Sequence, residues 1–293
     1  MEVIEPAASQ LDEWMTRYVP DRDILFLSGE DFHVFKRFLG NVLIFPRTEF
    51  MNHSFYNDVQ LASSYEYWNI SSEAELIIAA PPGWYSKLPR EIQLSLNEIQ
   101  VRMQRGLILN LPQVKRHEFP VQYIVEDSQG LYMVLHCDMW KSLDREKKHG
   151  LLKETAREWD TWVCEEIPET APDHLRKYAN SFPVRAGSNC LASSLYAASG
   201  DEWILHEWVH QKTFLNGITL AGFSVKKQGM PEPGDIITWE NDKGVIQHAS
   251  FHIGDLLFFN KNGQTFFNPW KIVHLSVLQE EWGHLKLKIY SRG

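Results

Sequence analysis

The sequence lacks long apolar runs and contains few cysteines. No stretch of the 293 residues approaches the ~20 apolar residues that a transmembrane helix needs, so we expect no membrane span. Three scattered cysteines are too few for a disulfide framework, which favours a reducing compartment. The first residues also lack the basic and apolar regions of a secretory signal peptide. We therefore expect a cytoplasmic location.

An excess of basic residues is missing as well. The chain has 29 Lys and Arg against 38 Asp and Glu, a formal net charge of -9 at pH 7. Because nucleic-acid binding needs clustered positive charge, we expect no nucleic acid as the main partner. Hydrophobic residues make up 44% and charged residues 23% of the chain, which is typical of globular proteins rather than disordered ones.

The length predicts about two domains, at roughly 150 residues each. The clearest boundary is the segment 167–172, where two prolines four residues apart disfavour both helix and central strand. We therefore expect an N-terminal α+β domain of unassigned fold and function over residues 1–166. A second domain is expected over residues 167–293.

The first domain shows little that suggests chemistry. His136, Cys137 and Asp138 are metal-ligand types side by side, but neighbours on a strand point to opposite faces. This pattern predicts a buried cysteine beside two half-exposed polar groups, and no metal site. A helix from Pro89 to about Arg105 and a hairpin around residues 127–130 are also predicted.

The strongest indication of function in the sequence is a cysteine at the predicted start of a helix. Residues 188–200 are typical of a helix, with Ser188 or Asn189 as N-cap and Gly200 as the stop. Cys190 then lies in the first turn, where unpaired N–H groups and the helix dipole stabilise a thiolate. Cys190 is therefore a candidate nucleophile.

A predicted hairpin downstream supplies a base. Residues 247–254 alternate like a strand, and residues 255–260 form a return strand, which brings His248 near Asn260. A nucleophile, a base and a polar residue that orients the base form a catalytic triad. A two-residue turn at 254–255 would place the Asn260 side chain on the opposite face of the hairpin from His248. A one-residue bulge or a three-residue loop would bring Asn260 opposite His248 on the same face. Alternatives for the third residue are Asn262, Gln264 and Asn268.

The order of these pieces, together with the Pro-Glu-Pro-Gly-Asp turn at 231–235, resembles the NlpC/P60 cysteine peptidases. The resemblance covers about residues 174–275. These papain-like enzymes mostly cleave peptidoglycan stem peptides, and the CHAP amidases share part of the pattern. The resemblance implies an α+β papain-like domain, in which the helix bearing the cysteine packs on a small antiparallel sheet. It assigns Cys190 as nucleophile, His248 as base and Asn260 as orienting residue.

The same resemblance implies a substrate and no cofactor. The expected substrate is a small peptide, such as a cell-wall-derived peptide with D-amino acids inside a bacterium. The chain departs from the family at 189–192, which reads Asn-Cys-Leu-Ala instead of Asp-Cys-Ser-Gly. It also lacks the usual upstream Trp-Gly-Gly and has Asn in place of the commoner third His. A non-catalytic papain-like binding protein is therefore the alternative.

Some weaker candidates remain. Ser188, Asn189 and His252 are candidates for substrate binding. His252 shares a face with His248 but lies about 13 Å along the strand, at ~3.3 Å per residue, so we interpret it as a structural or pocket-edge residue.

A zinc peptidase is a further alternative. The segment His206-Glu-Trp-Val-His210 matches the H-E-x-x-H pattern. On a helix, His206 and His210 would share one face and bind zinc, while Glu207 activates water. A convincing third ligand is missing, since Glu232 lies in a turn and Glu240 is a weak candidate. A surface helix with solvated histidines is therefore preferred, and no metal is expected.

Overall fold

The computed structural model describes residues 1–293, apart from the side chain of Gln113, and its chain mixes helices with small antiparallel sheets. The predicted α+β class is confirmed. The α-helices are α1 Ala8–Arg17, α2 Gly29–Phe35, α3 Arg47–Asn52, α4 Val59–Ser64, α5 Arg90–Arg102, α6 Cys137–Ser142, α7 Arg145–Trp159, α8 Asp173–Arg176, α9 Cys190–Ser199, α10 Gln211–Leu220 and α11 Leu275–Trp282. No helix in the described chain is long and apolar enough to cross a bilayer.

The strands are short and pair with antiparallel neighbours. They are β1 Glu2–Val3, β2 Asp23–Leu27, β3 Leu43–Pro46, β4 Leu76–Ala80, β5 Ile108–Asn110, β6 Ile124–Glu126, β7 Leu131–Val134, β8 Val163–Cys164, β9 Phe223–Val225, β10 Ile236–Glu240, β11 Ile246–Gly254, β12 Leu257–Asn260, β13 Lys271–His274 and β14 Lys286–Arg292.

The chain divides into two compact units, and the division differs from the predicted boundary at residue 166. Residues Met15–Leu151 form the inserted unit, and Met1–Trp14 with Leu152–Gly293 form the split unit. Strand β1 pairs with β8 inside the split unit. Trp14 is fully buried, donates its indole N–H to the Pro183 carbonyl at 2.8 Å and stacks on Phe266. Burial of this tryptophan therefore ties the N-terminal segment to residues that follow the prolines.

The inserted unit contains two three-stranded sheets, with β4 central in one and β7 central in the other. The predicted hairpin is confirmed by the pairing of Glu126 in β6 with Leu131 in β7. The predicted helix is confirmed as α5, which begins directly after Pro89.

The expectation that His136 is half-exposed is wrong. His136 is fully buried, with Nε2 2.9 Å from Asn97 Oδ1 and Nδ1 3.2 Å from Asp23 Oδ2. The backbone N–H of Cys137 donates to the other Asp23 oxygen at 2.9 Å. His136 precedes helix α6 instead of lying within a strand, and distant segments supply its polar partners, which is why local spacing missed them.

The split unit is built on a six-stranded antiparallel sheet in the order β13-β12-β11-β10-β14-β9. Helix α9 contributes to the apolar cluster on one face, which includes Ala249, Phe251 and Phe259. Helix α11 contributes Leu278 to the cluster on the other face, together with Trp239. The sheet therefore carries helices on both faces.

A bulge sets the register of the β11–β12 hairpin. Phe251 pairs with Phe259 and His252 with Phe258, but Gly254 pairs with Leu257, so one residue is bulged between them. A one-residue bulge, one of the two alternatives that would bring Asn260 to the face of His248, is thus present, and it places both side chains on the same face of the hairpin. Continuing this register sets Ser250, rather than His248, directly across from Asn260.

Candidate functional site

Cys190 is the first residue of helix α9, as the sequence predicts. Asn189 caps the helix, because its side-chain oxygen accepts the Ala192 N–H at 2.9 Å. The Asn189 side chain also donates to the Val209 carbonyl at 2.8 Å, which fixes its orientation. Gly200 ends the helix at φ 79°, a left-handed conformation that favours glycine. The local sequence therefore places the thiol among the unpaired N–H groups of the first turn.

The thiol of Cys190 is half-buried and largely protonated at neutral pH. Burial raises its pKa to about 11, and this outweighs the opposing effects of its neighbours. Those effects come from the backbone N–H groups of Ala249, Leu191 and Cys190, and from the positive charge of Lys261. A helix N-terminus alone therefore does not produce a thiolate here.

His248 and Asn260 form a buried hydrogen-bonded pair. His248 Nε2 lies 2.6 Å from Asn260 Oδ1, and the Ser250 hydroxyl donates to the same oxygen at 2.6 Å. The imidazole stacks on Trp282, with ring centroids 4.6 Å apart and an angle of 2° between the planes. Burial lowers the pKa of His248 to about 4, while the bond to Asn260 opposes this shift. His248 is therefore neutral at physiological pH.

The structure places the Cys190 thiol and the ring of this pair on opposite faces of the sheet. The Cys190 sulfur is near the backbone N–H of Ala249, the residue that follows His248. Side chains alternate along a strand, so Ala249 faces helix α9 while the His248 ring packs near Trp239 and Trp282 on the other face. Among the described side chains, no hydrogen bond joins the Cys190 thiol to the His248 ring. His248 Nδ1, the ring nitrogen nearer the backbone, likewise has no hydrogen-bond partner in this set.

Two of the three weaker candidates, Ser188 and His252, lie in buried positions. Ser188 is 2% exposed, and its hydroxyl has no hydrogen-bond partner among the described residues. His252 is also buried and stacks on Phe258 at 4.6 Å, and neither of its ring nitrogens has a partner in that same set. Asn189 serves as the helix cap described above.

The structure contradicts the zinc alternative. A 3-10 helix ends at His206, and both Glu207 and His210 have extended backbones, with ψ of 155° and 157°. The predicted helix over this motif is therefore wrong, and the two histidines do not share a helical face. His206 packs edge-on against Tyr178, and His210 stacks on Trp208. The described residues contain no group of three His, Cys, Asp or Glu side chains that could hold a metal ion.

Several residues near the pair were missed by the sequence analysis. Ser250 could have been found, because it lies two residues after His248 on the same face of β11. Lys261 follows Asn260 and is fully buried, and it donates to the Thr265 and Asn268 carbonyls at 2.9 and 2.6 Å. Burial lowers the pKa of Lys261 to about 7. Trp282 lies at the end of α11, and no sequence motif indicates that this helix packs against the β11–β12 hairpin.

Comparisons with protein-family models, with curated proteins and with solved structures gave no match to this chain. The chemistry of the site therefore rests on its own geometry.

Proposed function

We propose that the split unit is a thiol hydrolase that cleaves an amide bond in a small peptide. Cys190 is the nucleophile, His248 the general base and Asn260 the residue that orients the base. The observation that carries the proposal is the 2.6 Å hydrogen bond between His248 Nε2 and Asn260 Oδ1. This bond holds an imidazole at the strand position next to the backbone that Cys190 approaches.

The reaction starts from a neutral thiol and a neutral imidazole, in keeping with the two pKa values. The sulfur attacks the scissile carbonyl carbon as its proton passes to His248 Nδ1. This transfer requires the β11 backbone around Ala249 to shift, because the free protein holds the His248 ring on the sheet face opposite the thiol. The imidazolium then protonates the leaving amine, and water hydrolyses the thioester to release the acid and restore the thiol. Backbone N–H groups at the start of α9 stabilise the oxyanion.

The proposed fold of the catalytic region is papain-like and of the NlpC/P60 type. Support comes from the sheet with the cysteine-bearing helix on one face, and from the order Cys190, His248, Asn260 along the chain. The proposed substrate is a cell-wall-derived peptide with D-amino acids, in the cytoplasm of a bacterium. The proposed reaction uses no cofactor, nucleic acid or membrane.

Hydrolysis of peptides that contain D-amino acids tests the proposal. The wild-type chain should release product, and Cys190→Ala should lower kcat by at least ~10³-fold, because the nucleophile is lost. Cys164→Ala is the matched control, since this buried cysteine lies in β8 and contacts Glu2 instead of the site. Equal hydrolysis by wild type and Cys190→Ala would contradict the proposal.

The second candidate is a non-catalytic papain-like binding protein. It is favoured by the raised pKa of Cys190 and by the placement of its thiol and the His248 ring on opposite faces of the sheet. This candidate predicts that the same peptides bind to the wild type without turnover. Calorimetric titration run beside the hydrolysis assay separates the two, because a binding protein gives heat of binding but no product.

A further inference from the structure

A chain of side-chain hydrogen bonds leads away from His248 beyond Asn260. The Asn260 amide nitrogen donates to Asn262 Oδ1 at 2.7 Å. The Asn262 amide nitrogen in turn lies 3.4 Å from Asp160 Oδ1 and 3.4 Å from Glu281 Oε2. The chain therefore connects the imidazole to two carboxyl groups, one at the end of α7 and one in α11.

Asp160 fixes the direction of this chain. Its carboxylate accepts a hydrogen bond from Lys271 Nζ at 2.7 Å, and both side chains are at most 2% exposed. Lys271 also donates to the Thr161 carbonyl at 2.8 Å, which holds the ammonium in place. An ionised carboxylate only accepts hydrogen bonds, so Asn262 must turn its amide nitrogen towards Asp160. Its oxygen then faces Asn260.

The orientation of Asn262 also determines which nitrogen of the His248 imidazole carries the proton. Because Asn262 presents an oxygen, Asn260 must turn its amide nitrogen towards Asn262 and its oxygen towards Ser250 and His248. An oxygen at 2.6 Å from Nε2 requires that the proton of the neutral imidazole be on Nε2. His248 Nδ1 then carries the lone pair.

We propose that Asn262, oriented by Asp160, is a positioning residue that fixes the Asn260 amide and thereby keeps the His248 proton on Nε2. This inference rests on the proposed function, in which Nδ1 is the atom that takes the thiol proton. Asn262 does not touch the reacting atoms and acts only through Asn260.

Nitrogen NMR of the full chain labelled in its histidines tests the inference. The His248 signals are assigned by their loss in His248→Phe. In the wild type at pH 7, Nε2 should resonate in the protonated range and Nδ1 in the unprotonated range. A proton on Nδ1 in the wild type would overturn the inference.

The variant Asn262→Ala removes the acceptor that holds Asn260, so the amide can flip and present its nitrogen to His248. We expect a protonated Nδ1 signal to appear in this variant. Asn241→Ala, which removes a turn side chain elsewhere in the split unit, should leave the His248 signals unchanged. An unchanged spectrum in folded Asn262→Ala would overturn the inference.

The tautomer is read in the free protein, without substrate or turnover. A protonated Nε2 together with absent hydrolysis would support the positioning role and reject the proposed function. Hydrolysis by the wild type together with an unchanged His248 tautomer in Asn262→Ala would support the proposed function and reject the positioning role of Asn262.

Discussion

At the scale of single residues, burial decides the protonation states at the site. Burial favours the neutral form of both side chains: it raises the pKa of Cys190 to about 11 and lowers the pKa of His248 to about 4. A helix N-terminus and an amide oxygen oppose these shifts but do not reverse them. The free protein therefore holds a neutral thiol and a neutral imidazole, and in the proposed reaction their charges separate only when the thiol attacks a carbonyl.

The first prediction concerns alkylation of Cys190. Because only the thiolate reacts, modification by iodoacetamide should be slow at pH 7 and should rise steadily towards pH 11. Mass spectrometry of digested protein measures the rate at each cysteine. Cys137 and Cys164 serve as internal references, since burial raises both of their pKa values to about 12. Rapid modification of Cys190 at pH 7 would contradict the prediction.

The second prediction concerns the stability contributed by neutral His248. Its pKa is lowered from 6.5 to about 4, so the unfolded chain binds more protons between these values. The contribution is present above about pH 6.5 and is lost as the pH falls towards 4, by roughly 3 kcal/mol of unfolding free energy. Urea unfolding at pH 7 and pH 4.5 measures the loss. His248→Phe, which keeps an aromatic ring against Trp282, should lose less stability than the wild type.

Sequence spacing could predict the pairing of His248 with Asn260, because a hairpin with a bulge brings residues twelve apart to one face. It could not predict Asp160, which comes from the end of α7 about a hundred residues earlier. Nor could it predict the shifted pKa values, which depend on burial by the whole unit. Local sequence patterns predict the geometry of a hairpin, whereas packing between distant segments causes the burial that shifts the pKa values.

At the scale of elements, the β11–β12 hairpin holds the imidazole and its partner. Its turn residues Asp255 and Leu256 have φ of 49° and 59°, the left-handed region that most side chains avoid. A two-residue turn at 254–255 was one of the alternatives considered from the sequence, and the structure instead places the turn at Asp255 and Leu256. The helix ends of α9 were predicted correctly, since Asn189 and Gly200 are typical capping residues.

The third prediction concerns this turn. Leu256→Gly should raise the free energy of unfolding by roughly 0.5–1 kcal/mol, because relief of left-handed strain exceeds the added entropy of the unfolded chain. Urea unfolding at pH 7 measures the change. The neighbouring substitution Leu257→Gly is the matched control and should destabilise, since Leu257 lies in β12 and packs against the α9 cluster. A destabilised Leu256→Gly would contradict the strain argument.

At the scale of the whole molecule, the split unit is assembled from two separate stretches of chain. The proline segment at 167–172 marked a break in local structure, but it lies within the split unit. Local composition could not reveal this, because Trp14 and Asp160 join the unit through contacts with residues far along the sequence.

The fourth prediction follows from this assembly. A fragment of residues 167–293 lacks Asp160, so Lys271 would be buried without its carboxylate, and it also lacks Trp14. Loss of one partner of a buried ion pair costs about 3–5 kcal/mol, so we expect the fragment to be unfolded. Circular dichroism with thermal unfolding measures this, and the full chain is the control. Cooperative unfolding of the fragment, at the temperature of the full chain, would refute it.

The split unit also has a consequence for biosynthesis. Trp14 is translated 252 residues before its stacking partner Phe266. At about 5–20 residues per second, the indole waits roughly 10–50 s for that partner, while the inserted unit can already fold. Until then the nascent chain exposes this aromatic side chain without its stacking partner, so the packing around Trp14 is completed only after Phe266 has been translated.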